Sequence, residues 1–516
     1  MMAARRSARD RVVLNVEDIA LPRPSIFSRL GVLLAAAALL AGCKPVGPNY
    51  HRPGYDAPPA YKESGATAAI VPPPNPAGGA WQPANPSDGL LRGNWWEIYQ
   101  DAQLNQLEER ISANNQTLRS ALESYLAARD QVSVARSALF PTLSAGPTVA
   151  RDRVSQNGPS YSPARPNSYN DFVLTGQASW EPDLWGRVRR AVEAARSTAQ
   201  ASAAERASID LSLHAEMAAD YFQLRGLDAQ IKLLDATIAD LEGQLDLTQR
   251  RLAGGIGTEA DVAQARTQLE TTRAQRIDVG VARAQYEHAI GAIANENLSA
   301  FSIPFSPLVS SPEFALPKVP VGVPSQLLER RPDIAAVERR AAAANAQIGI
   351  AVSAYYPAIS LTGAGGFESM HGGTWIQGPS TLWSLGAQAT ELLFDAGQRH
   401  ALTDAARHSY EAQAANYKSV VIAALNDVED QLSGLRILEQ ESAAEQQAVA
   451  AAQHSFDISN QRYKGGVTGY LEVLTAEATL LQNQRTALDL QTRQLVANVG
   501  LVRALGGGWD ATQLPK

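Results

Sequence analysis

Four segments of the chain alternate between apolar and polar residues with a period of two, the pattern of a β-strand whose two faces meet different surroundings. In Phe172–Glu181, for example, Leu174, Ala178 and Trp180 fall on one face and polar residues on the other. The other three segments are Thr142–Ala150, Ile359–Phe367 and Leu382–Leu392. Each has about 9–11 residues, the length that a tilted strand needs to cross a bilayer. The pattern predicts four strands of membrane length.

Each pair of predicted strands is followed by two long helical runs without proline. The runs are rich in Ala, Gln, Arg, Leu and Glu, which favour helix, and a Gly-Gly pair interrupts them where a helix end needs a residue tolerant of positive φ. The predicted hairpins are Arg187 to about Ala253 with Thr258 to about Asn297, interrupted at Gly254-Gly255, and Gln398 to Lys464 with Thr468 to Leu505, interrupted at Gly465-Gly466. An offset of 211 residues places Arg251 on Arg462 and superimposes the hairpins. The chain therefore contains an internal duplication.

The first helix of each predicted hairpin is far longer than ordinary globular helices, which average about 11–12 residues. A run of about 67 residues would span roughly 100 Å. Small residues such as Ala194, Ala199 and Ala203 leave little side chain between neighbouring helices, which favours close helix packing. A long cytosolic coiled coil would show the same features, so the helices alone leave that alternative open.

A shorter helical segment precedes each pair of strands. The predicted segments run from Asp101 to Ala138 and from Pro324 to Ala354. Their offset is 216 residues rather than 211, because Ala138-Leu-Phe-Pro141 aligns with Ala354-Tyr-Tyr-Pro357. We expect this difference in length to fall in a loop between paired strands, where length changes are tolerated.

The number of predicted strands bears on how the chain assembles. Four strands cannot close a barrel, and open sheet edges are not tolerated in lipid. Several chains would therefore share one barrel, and three chains would supply about twelve strands and leave room for a lumen. Two β-hairpins that cap a soluble helical bundle are the alternative.

Composition narrows the classes of function. The 516 residues are 45% hydrophobic and 19% charged, and the net charge is −7. This acidic balance, without a long Lys/Arg-rich tract, argues against a nucleic-acid partner. The single cysteine, Cys43, excludes a disulfide framework or a thiolate metal cluster within one chain.

That cysteine ends an apolar stretch, Leu30–Cys43, that follows Arg29. About a dozen apolar residues are too few to span a bilayer, which needs ~20, but they suit the core of a signal peptide. Leu40-Ala41-Gly42-Cys43 resembles the bacterial lipoprotein signal. This resemblance implies removal of residues 1–42 and a covalent lipid, N-acyl and S-diacylglycerol, on Cys43. Residues 43–100, rich in Pro, Gly, Ala and Asn at first, are expected to form an extended tether.

Several motifs of the mature chain resemble the outer-membrane factor family typified by TolC and OprM, in its NodT-type lipoprotein branch. The motifs are Val46-Gly-Pro-Asn-Tyr-His-Arg-Pro53, Trp95-Trp96, Asp183-Leu-Trp-Gly-Arg187, Leu328-Glu-Arg-Arg-Pro-Asp-Ile334, Ala343-Ala-Asn-Ala-Gln-Ile-Gly349 and Tyr356-Pro-Ala-Ile-Ser-Leu-Thr-Gly363. Lys44 after the lipid cysteine favours the outer membrane by the rule of this signal.

The resemblance implies a mixed α+β membrane protein: a homotrimer with a long periplasmic α-helical barrel continuous with a transmembrane β-barrel to which each chain gives four strands. The expected segments are a signal peptide (1–42), a tether (43–100), a first repeat (101–298), a linker (299–323), a second repeat (324–505) and a C-terminal tail (506–516). The implied partners are a periplasmic adaptor protein and an inner-membrane pump. The implied function is the outer-membrane channel of a tripartite efflux system for small molecules.

The resemblance also implies a gate at the periplasmic tips of the hairpins. Tyr463 and Asp261 match members of a polar link that holds such a gate closed, and Glu472 matches one acidic ring. Thr475 replaces a second acidic ring, and Thr468 stands where the TolC pattern has an arginine. The glycine pairs Gly254-Gly255 and Gly465-Gly466 are the expected adaptor contacts. Alternatively, Asp261 and Glu472 are solvated acids of the kind that a helix N-terminus favours.

Other classes of function fit the sequence less well. It contains no phosphate-binding loop of the Walker type, no His-Glu-x-x-His pair and no Gly-x-Ser-x-Gly elbow. We therefore expect neither an enzyme nor a metal site nor a cofactor other than the lipid. An outer-membrane duct for type I protein secretion and a non-conducting envelope tether remain alternatives.

Overall fold

The computed structural model of the protein describes residues 44–63, 93–159, 161–164, 166–308 and 316–515. The predicted signal peptide and Cys43 lie outside the described residues, as do much of the predicted tether and part of the linker.

Two repeats with the same order of elements follow one another. The first contains α1 (Ala102–Asn114), α2 (Gln116–Ser137), β1 (Thr142–Arg153), β2 (Ser168–Trp180), α3 (Arg187–Ala253) and α4 (Glu259–Ile293). The second contains α5 (Leu327–Arg330), α6 (Pro332–Ser353), β3 (Ala358–Ser369), β4 (Thr381–Thr390), α7 (Gln398–Lys464) and α8 (Tyr470–Ala504). Short 3-10 helices lie at Trp95–Tyr99, Pro324–Gln326, Gly372–Thr374, Gly378–Ser380 and Ala511–Gln513.

The long hairpins confirm the predicted duplication. Helices α3 and α7 each contain 67 residues, and α4 and α8 each contain 35. We call α3–α4 the first hairpin and α7–α8 the second hairpin. Both α3 and α7 start after a glycine with positive φ, Gly186 and Gly397. None of the described helices is both long enough and apolar enough to cross a membrane.

The four strands form one antiparallel sheet in the order β1-β2-β3-β4. Its central pairing joins the two repeats, because β2 pairs with β3 from Phe172 opposite Ser369 to Trp180 opposite Leu361. Strands β1, β2 and β3 are longer than their alternation predicted, and β2 starts four residues earlier, at Ser168 rather than Phe172, whereas β4 ends at Thr390 rather than Leu392. The two edge strands, β1 and β4, each have one paired neighbour in the described part of the chain.

The segment predicted to be helical from Asp101 to Ala138 is helical, but it consists of two helices, α1 and α2, rather than one continuous helix. Asn115 separates them: its side chain accepts a hydrogen bond from Leu118 N at 3.0 Å and donates one to Ile293 O at 2.8 Å. An asparagine that caps a new helix and also bonds another element gives the chain a reason to break there. The counterpart segment is likewise broken at Arg331, ahead of Pro332.

The predicted tether is not free where it is described. Val46 N donates to Trp185 O at 3.0 Å, and Arg190 Nε donates to Val46 O at 3.2 Å. At its far end Trp95 and Trp96 are buried in the main core cluster, which also takes in α1, the middle of α3 and the end of α8. Residues 44–63 and 93–100 are thus packed against the helices rather than extended into solvent.

Candidate functional site at the hairpin tips

Both hairpins turn with the same backbone geometry. Gly254 and Gly465 end α3 and α7, and the next glycines, Gly255 and Gly466, have φ values of +76° and +74°. A residue with a Cβ is strained in that region, so the glycines predicted at the tips are required by the turn. Each turn then presents one large exposed aliphatic side chain, Ile256 or Val467.

The second helices of the hairpins begin differently. At the start of α4, Thr258 and Asp261 form a capping box: Asp261 N donates to Thr258 Oγ1 at 3.2 Å, and Thr258 N donates to Asp261 Oδ2 at 3.1 Å. At the start of α8 the equivalent N-cap is Gly469, which has no side chain to offer. Glu472 is exposed in the first turn of α8, and the Thr475 hydroxyl donates to carbonyls of its own helix, Leu471 O and Glu472 O, both at 3.0 Å.

Tyr463 lies at the junction of the two hairpins. It is buried, together with Tyr470, Val473 and Ala265, in a small apolar cluster that includes side chains of both hairpins. The guanidinium carbon of Arg251 stands 4.6 Å from the centre of the Tyr463 ring, and Arg251 Nη1 donates to Tyr463 O at 2.9 Å. A cation over an aromatic ring is attracted by the negative face of the ring. Arg251 therefore connects the end of α3 to the end of α7.

Among the described residues, Asp261 and Tyr463 are near one another but are not joined by a hydrogen bond; those of the Asp261 side chain go to Thr258. Burial raises the pKa of the Tyr463 phenol, Arg251 opposes this, and the Asp261 carboxylate adds to the rise. The Asp261 carboxylate thus acts on Tyr463 through its charge and not through a hydrogen bond. The side chain in direct contact with Tyr463 is that of Arg251. In the sequence, Arg251 stands three residues before the repeated Gly-Gly pair, and this position was the only signal that pointed to it.

A second set of polar side chains connects the hairpins further from the tips, and the sequence did not point to it. The Tyr470 hydroxyl donates to Gln244 Oε1 at 3.0 Å, and Gln244 Nε2 donates to Glu477 Oε1 at 3.0 Å. We call Tyr470, Gln244 and Glu477 the tip relay. It joins α8 of the second hairpin to α3 of the first.

The contacts at the tips are noncovalent. In the part of the chain that the structure describes, no group of three or more His, Cys, Asp or Glu side chains is placed to hold a metal ion. The site is suited to holding two helical hairpins together or letting them part.

At the opposite end of the long helices, the sheet carries exposed apolar side chains in the isolated chain. Leu143 on β1 and Trp383 and Leu385 on β4 are each about four-fifths exposed, at 81%, 77% and 80%. Exposed apolar side chains of this kind mark a surface suited to contact with lipid or with another chain.

Comparisons with known proteins agree with this architecture. The model of the family described as "Outer membrane efflux protein" matches residues 107–296 and 323–507, which takes in both repeats. The chain is 31% identical over 483 residues to the probable efflux pump outer membrane protein TtgC of Pseudomonas putida, covering 92% of this chain and 95% of that protein. It is 30% identical to the pyoverdine export outer membrane protein OpmQ of Pseudomonas aeruginosa over 83% of this chain and 90% of that one.

A solved structure shares the fold. The outer-membrane channel OprN superimposes with a TM-score of 0.79 at 27% identity, covering 90% of this chain and 99% of that one. The agreement thus extends through the strands, the short helices and both hairpins. The chain belongs to the outer membrane efflux protein family.

Proposed function

We propose that this protein is the outer-membrane channel of a tripartite efflux system, receiving small molecules from an inner-membrane pump and a periplasmic adaptor and releasing them outside the cell. The observation that carries this proposal is the match of the efflux family model to both repeats. The relatives TtgC and OpmQ are named for an efflux pump and for pyoverdine export. Of these two names, the name of OpmQ alone states a cargo, so the cargo of this chain is identified by experiment below.

The pore is made by three copies of the chain. A four-stranded sheet with two edges cannot stand in lipid unless other strands pair with its edges. Three chains supply about twelve strands, enough to enclose a lumen, and the long hairpins continue the duct through the periplasm. Native mass spectrometry of the detergent-solubilised protein should give a trimer, and a monomer would overturn the shared barrel.

The lipid on Cys43 anchors the chain in the outer membrane. Mass spectrometry of the mature N-terminus should find Cys43 carrying an N-acyl and an S-diacylglycerol group. Recovery of a protein that still begins with residues 1–42 would refute this assignment.

The tips of the hairpins form the periplasmic gate and the contact with the adaptor. Both turns present exposed aliphatic side chains, Ile256 and Val467, beside their glycines, which suits docking of an apolar partner surface. Asp261, Tyr463, Glu472 and Thr475 are the proposed gate residues, and Arg251 joins them through its contacts with Tyr463.

Recording from single channels in planar bilayers tests the pore and the gate together. The wild-type protein should conduct ions, and a complete lack of conductance would favour an envelope tether. We expect Arg251→Ala, Asp261→Ala and Tyr463→Leu, which removes the ring beneath Arg251, to raise the open probability. Three Glu472 carboxylates around the axis should attract cations, so Glu472→Gln should weaken cation selectivity. Unchanged behaviour in all four variants would leave these side chains as solvated or packing residues.

Growth tests identify the cargo. Deletion of the gene should sensitise the cell to some members of a panel of dyes, detergents and antibiotics. If secretion of a protein is lost and susceptibility is unchanged, the chain is a duct for protein secretion instead.

A further inference from the structure

The carboxyl group of Glu477 is buried between the two hairpins with half of its hydrogen-bonding capacity unused. The residue is 5% exposed in the isolated chain. Its Oε1 accepts from Gln244 Nε2 at 3.0 Å, whereas its Oε2 has no hydrogen-bond partner. A buried carboxylate is normally paired or fully hydrogen-bonded, because an uncompensated charge in a dry site is costly. This arrangement suits the neutral acid better than the anion.

In the part of the chain that the structure describes, no cation contributes to the pKa shift of Glu477. Among the described residues of α3, α4, α7 and α8, the charged group that acts on the Glu477 carboxyl is Asp240 on α3, which is another acid. Burial raises the pKa of Glu477 to about 7, the hydrogen bond from Gln244 works against this rise, and Asp240 adds to it. Tyr470, the third member of the tip relay, also has a pKa raised by burial and stays neutral.

On the basis of the channel function proposed above, we propose that Glu477 is a proton-operated positioning residue of the gate. While Glu477 is protonated, the tip relay holds α8 against α3. When it ionises, the unpaired charge favours separation of the second hairpin from the first, because separation lets water reach the carboxylate.

Comparison of the two repeats indicates that the tip relay occurs at the contact of α8 with α3 and not at the equivalent contact of α4 with α7. At the positions related by the 211-residue offset, Tyr470, Gln244 and Glu477 correspond to Glu259, Ser455 and Arg266. A glutamate, a serine and an arginine cannot form the same neutral chain of hydrogen bonds. Each chain therefore carries the relay once, between its second hairpin and its own first hairpin.

The sign of the pH effect follows from the two states. In the closed tip the pKa of Glu477 is raised to about 7, and in an open tip a hydrated glutamate titrates near ~4.3. The closed state therefore binds more protons than the open state between these values, so acid favours closure and the preference is lost above neutral pH. For the carboxyl of one chain, we expect the ratio of open to closed channels to rise at least about tenfold from pH 5 to pH 8.

Open probability in planar bilayers, recorded at half-unit steps from pH 5 to pH 8, tests the proposal with four proteins. The wild type should open more as the pH rises. Glu477→Gln keeps an acceptor for Gln244 without a titratable proton, so it should stay mostly closed across the range. Asp240→Asn removes the neighbouring acid, so its transition should move to lower pH. Glu441→Gln removes an exposed acid from α7 and should keep the wild-type profile.

The outcomes separate this inference from the channel function. If the wild type conducts but its open probability does not change with pH, or if Glu477→Gln keeps the wild-type profile, the inference is wrong and the channel stands. If no protein conducts, the channel function itself fails. Native mass spectrometry of each variant verifies assembly, and should Glu477→Gln not assemble, an unshifted transition in Asp240→Asn would overturn the inference on its own.

Discussion

The two long helices α3 and α7 have equal lengths and related sequences, yet equivalent positions on them have different surroundings. Asp228 on α3 is fully buried between Arg225 and Arg283. The 211-residue offset places Glu439 at the equivalent position of α7, where it is exposed. Duplication thus preserved the backbone but not the environment of the side chains.

The difference comes from what covers each helix. The middle of α3 is covered by α1 and by the segment after α4, from which Ser306 N donates to Asp228 Oδ2 at 2.9 Å. The middle of α7 is covered by the described segment 44–63, where the backbone amides of Lys62 and Glu63 donate to Glu429 at 2.7 and 2.9 Å. The middle of α3 therefore carries buried ion pairs, whereas the middle of α7 carries hydrogen bonds with residues 62 and 63 in addition to its apolar core.

Removal of the buried charge of Asp228 should give the largest difference in stability between equivalent changes in the two hairpins. Asp228→Asn leaves Arg225 and Arg283 without their shared carboxylate, which should cost about 3–5 kcal/mol of unfolding free energy. The equivalent change on the second hairpin, Glu439→Gln, should stay within about 0.5 kcal/mol. Thermal unfolding of the two purified variants measures both, and equal shifts would mean that the hairpins are held in the same way.

A buried histidine should make the stability of the first hairpin depend on pH. His214 Nδ1 lies 2.6 Å from Glu108 Oε2, and its ring stacks on Trp96 at 4.3 Å. Burial opposes the protonated ring, but the carboxyl of Asp210, 3.6 Å from Nε2, and the hydrogen bond with Glu108 outweigh it and raise the pKa of His214 to about 9. Burial raises the pKa of Glu108 to about 7 against the pull of His214.

Both raised pKa values mean that the folded state holds protons more tightly than the unfolded chain. This stabilisation is therefore fully present in acid. It begins to fall above about pH 4.5, where Glu108 would ionise in the unfolded chain but stays protonated in the folded state, and it is lost as the pH passes about 9. Between pH 6 and pH 9 we expect a loss on the order of 1–3 kcal/mol. The double variant Glu108→Gln, His214→Leu copies the leucine at the equivalent position, Leu425. Its unfolding temperature should vary less with pH than that of the wild type, and equal slopes would contradict the assignment.

The ends of the long helices were predictable, whereas the contacts between hairpins were not. Helices α3 and α7 end where the Gly-Gly pairs predicted, because a left-handed turn residue is a local signal. Asn115 is also a residue type that caps helices, but it lies within a continuous helical pattern. The helix breaks there because the Asn115 side chain bonds the backbone of Ile293, a contact that the sequence does not show. Gln244 and Glu477 stand 233 residues apart in the chain. No local pattern indicates such a pair. The sequence therefore predicted the glycine turns of the candidate site but not the hydrogen bonds of the tip relay.

The turns themselves should respond alike in the two hairpins. Gly255 and Gly466 both have positive φ, so Gly255→Ala and Gly466→Ala should each cost about 1–2 kcal/mol. Hydrogen exchange at the tips should show faster opening of the turn in both variants. Gly243→Ala, within α3 and with open space at its Cβ position, should have the opposite sign, because alanine favours helix by ~1 kcal/mol over glycine.

The smallest expected effect concerns the starts of α4 and α8. Thr258 caps α4 with its side chain, and Gly469 at the equivalent position cannot. Gly469 already has the extended backbone of an N-cap, with φ −77° and ψ 161°, and a Cβ added there meets nothing within 4 Å. Gly469→Ser would also place Glu472 three residues later, the spacing of a capping box. We therefore expect a gain of a few tenths of a kcal/mol in helix stability. The reverse change on the first hairpin, Thr258→Gly, should lose a similar amount.

Hydrogen exchange in the first turn of α8 should slow by roughly twofold in Gly469→Ser, and the first turn of α4 should exchange faster in Thr258→Gly. If the second hairpin is the part that moves at the gate, Gly469→Ser should also lower the open probability, whereas Thr258→Gly should leave it near the wild-type value; an equal response to both changes would mean that the two hairpins share the movement.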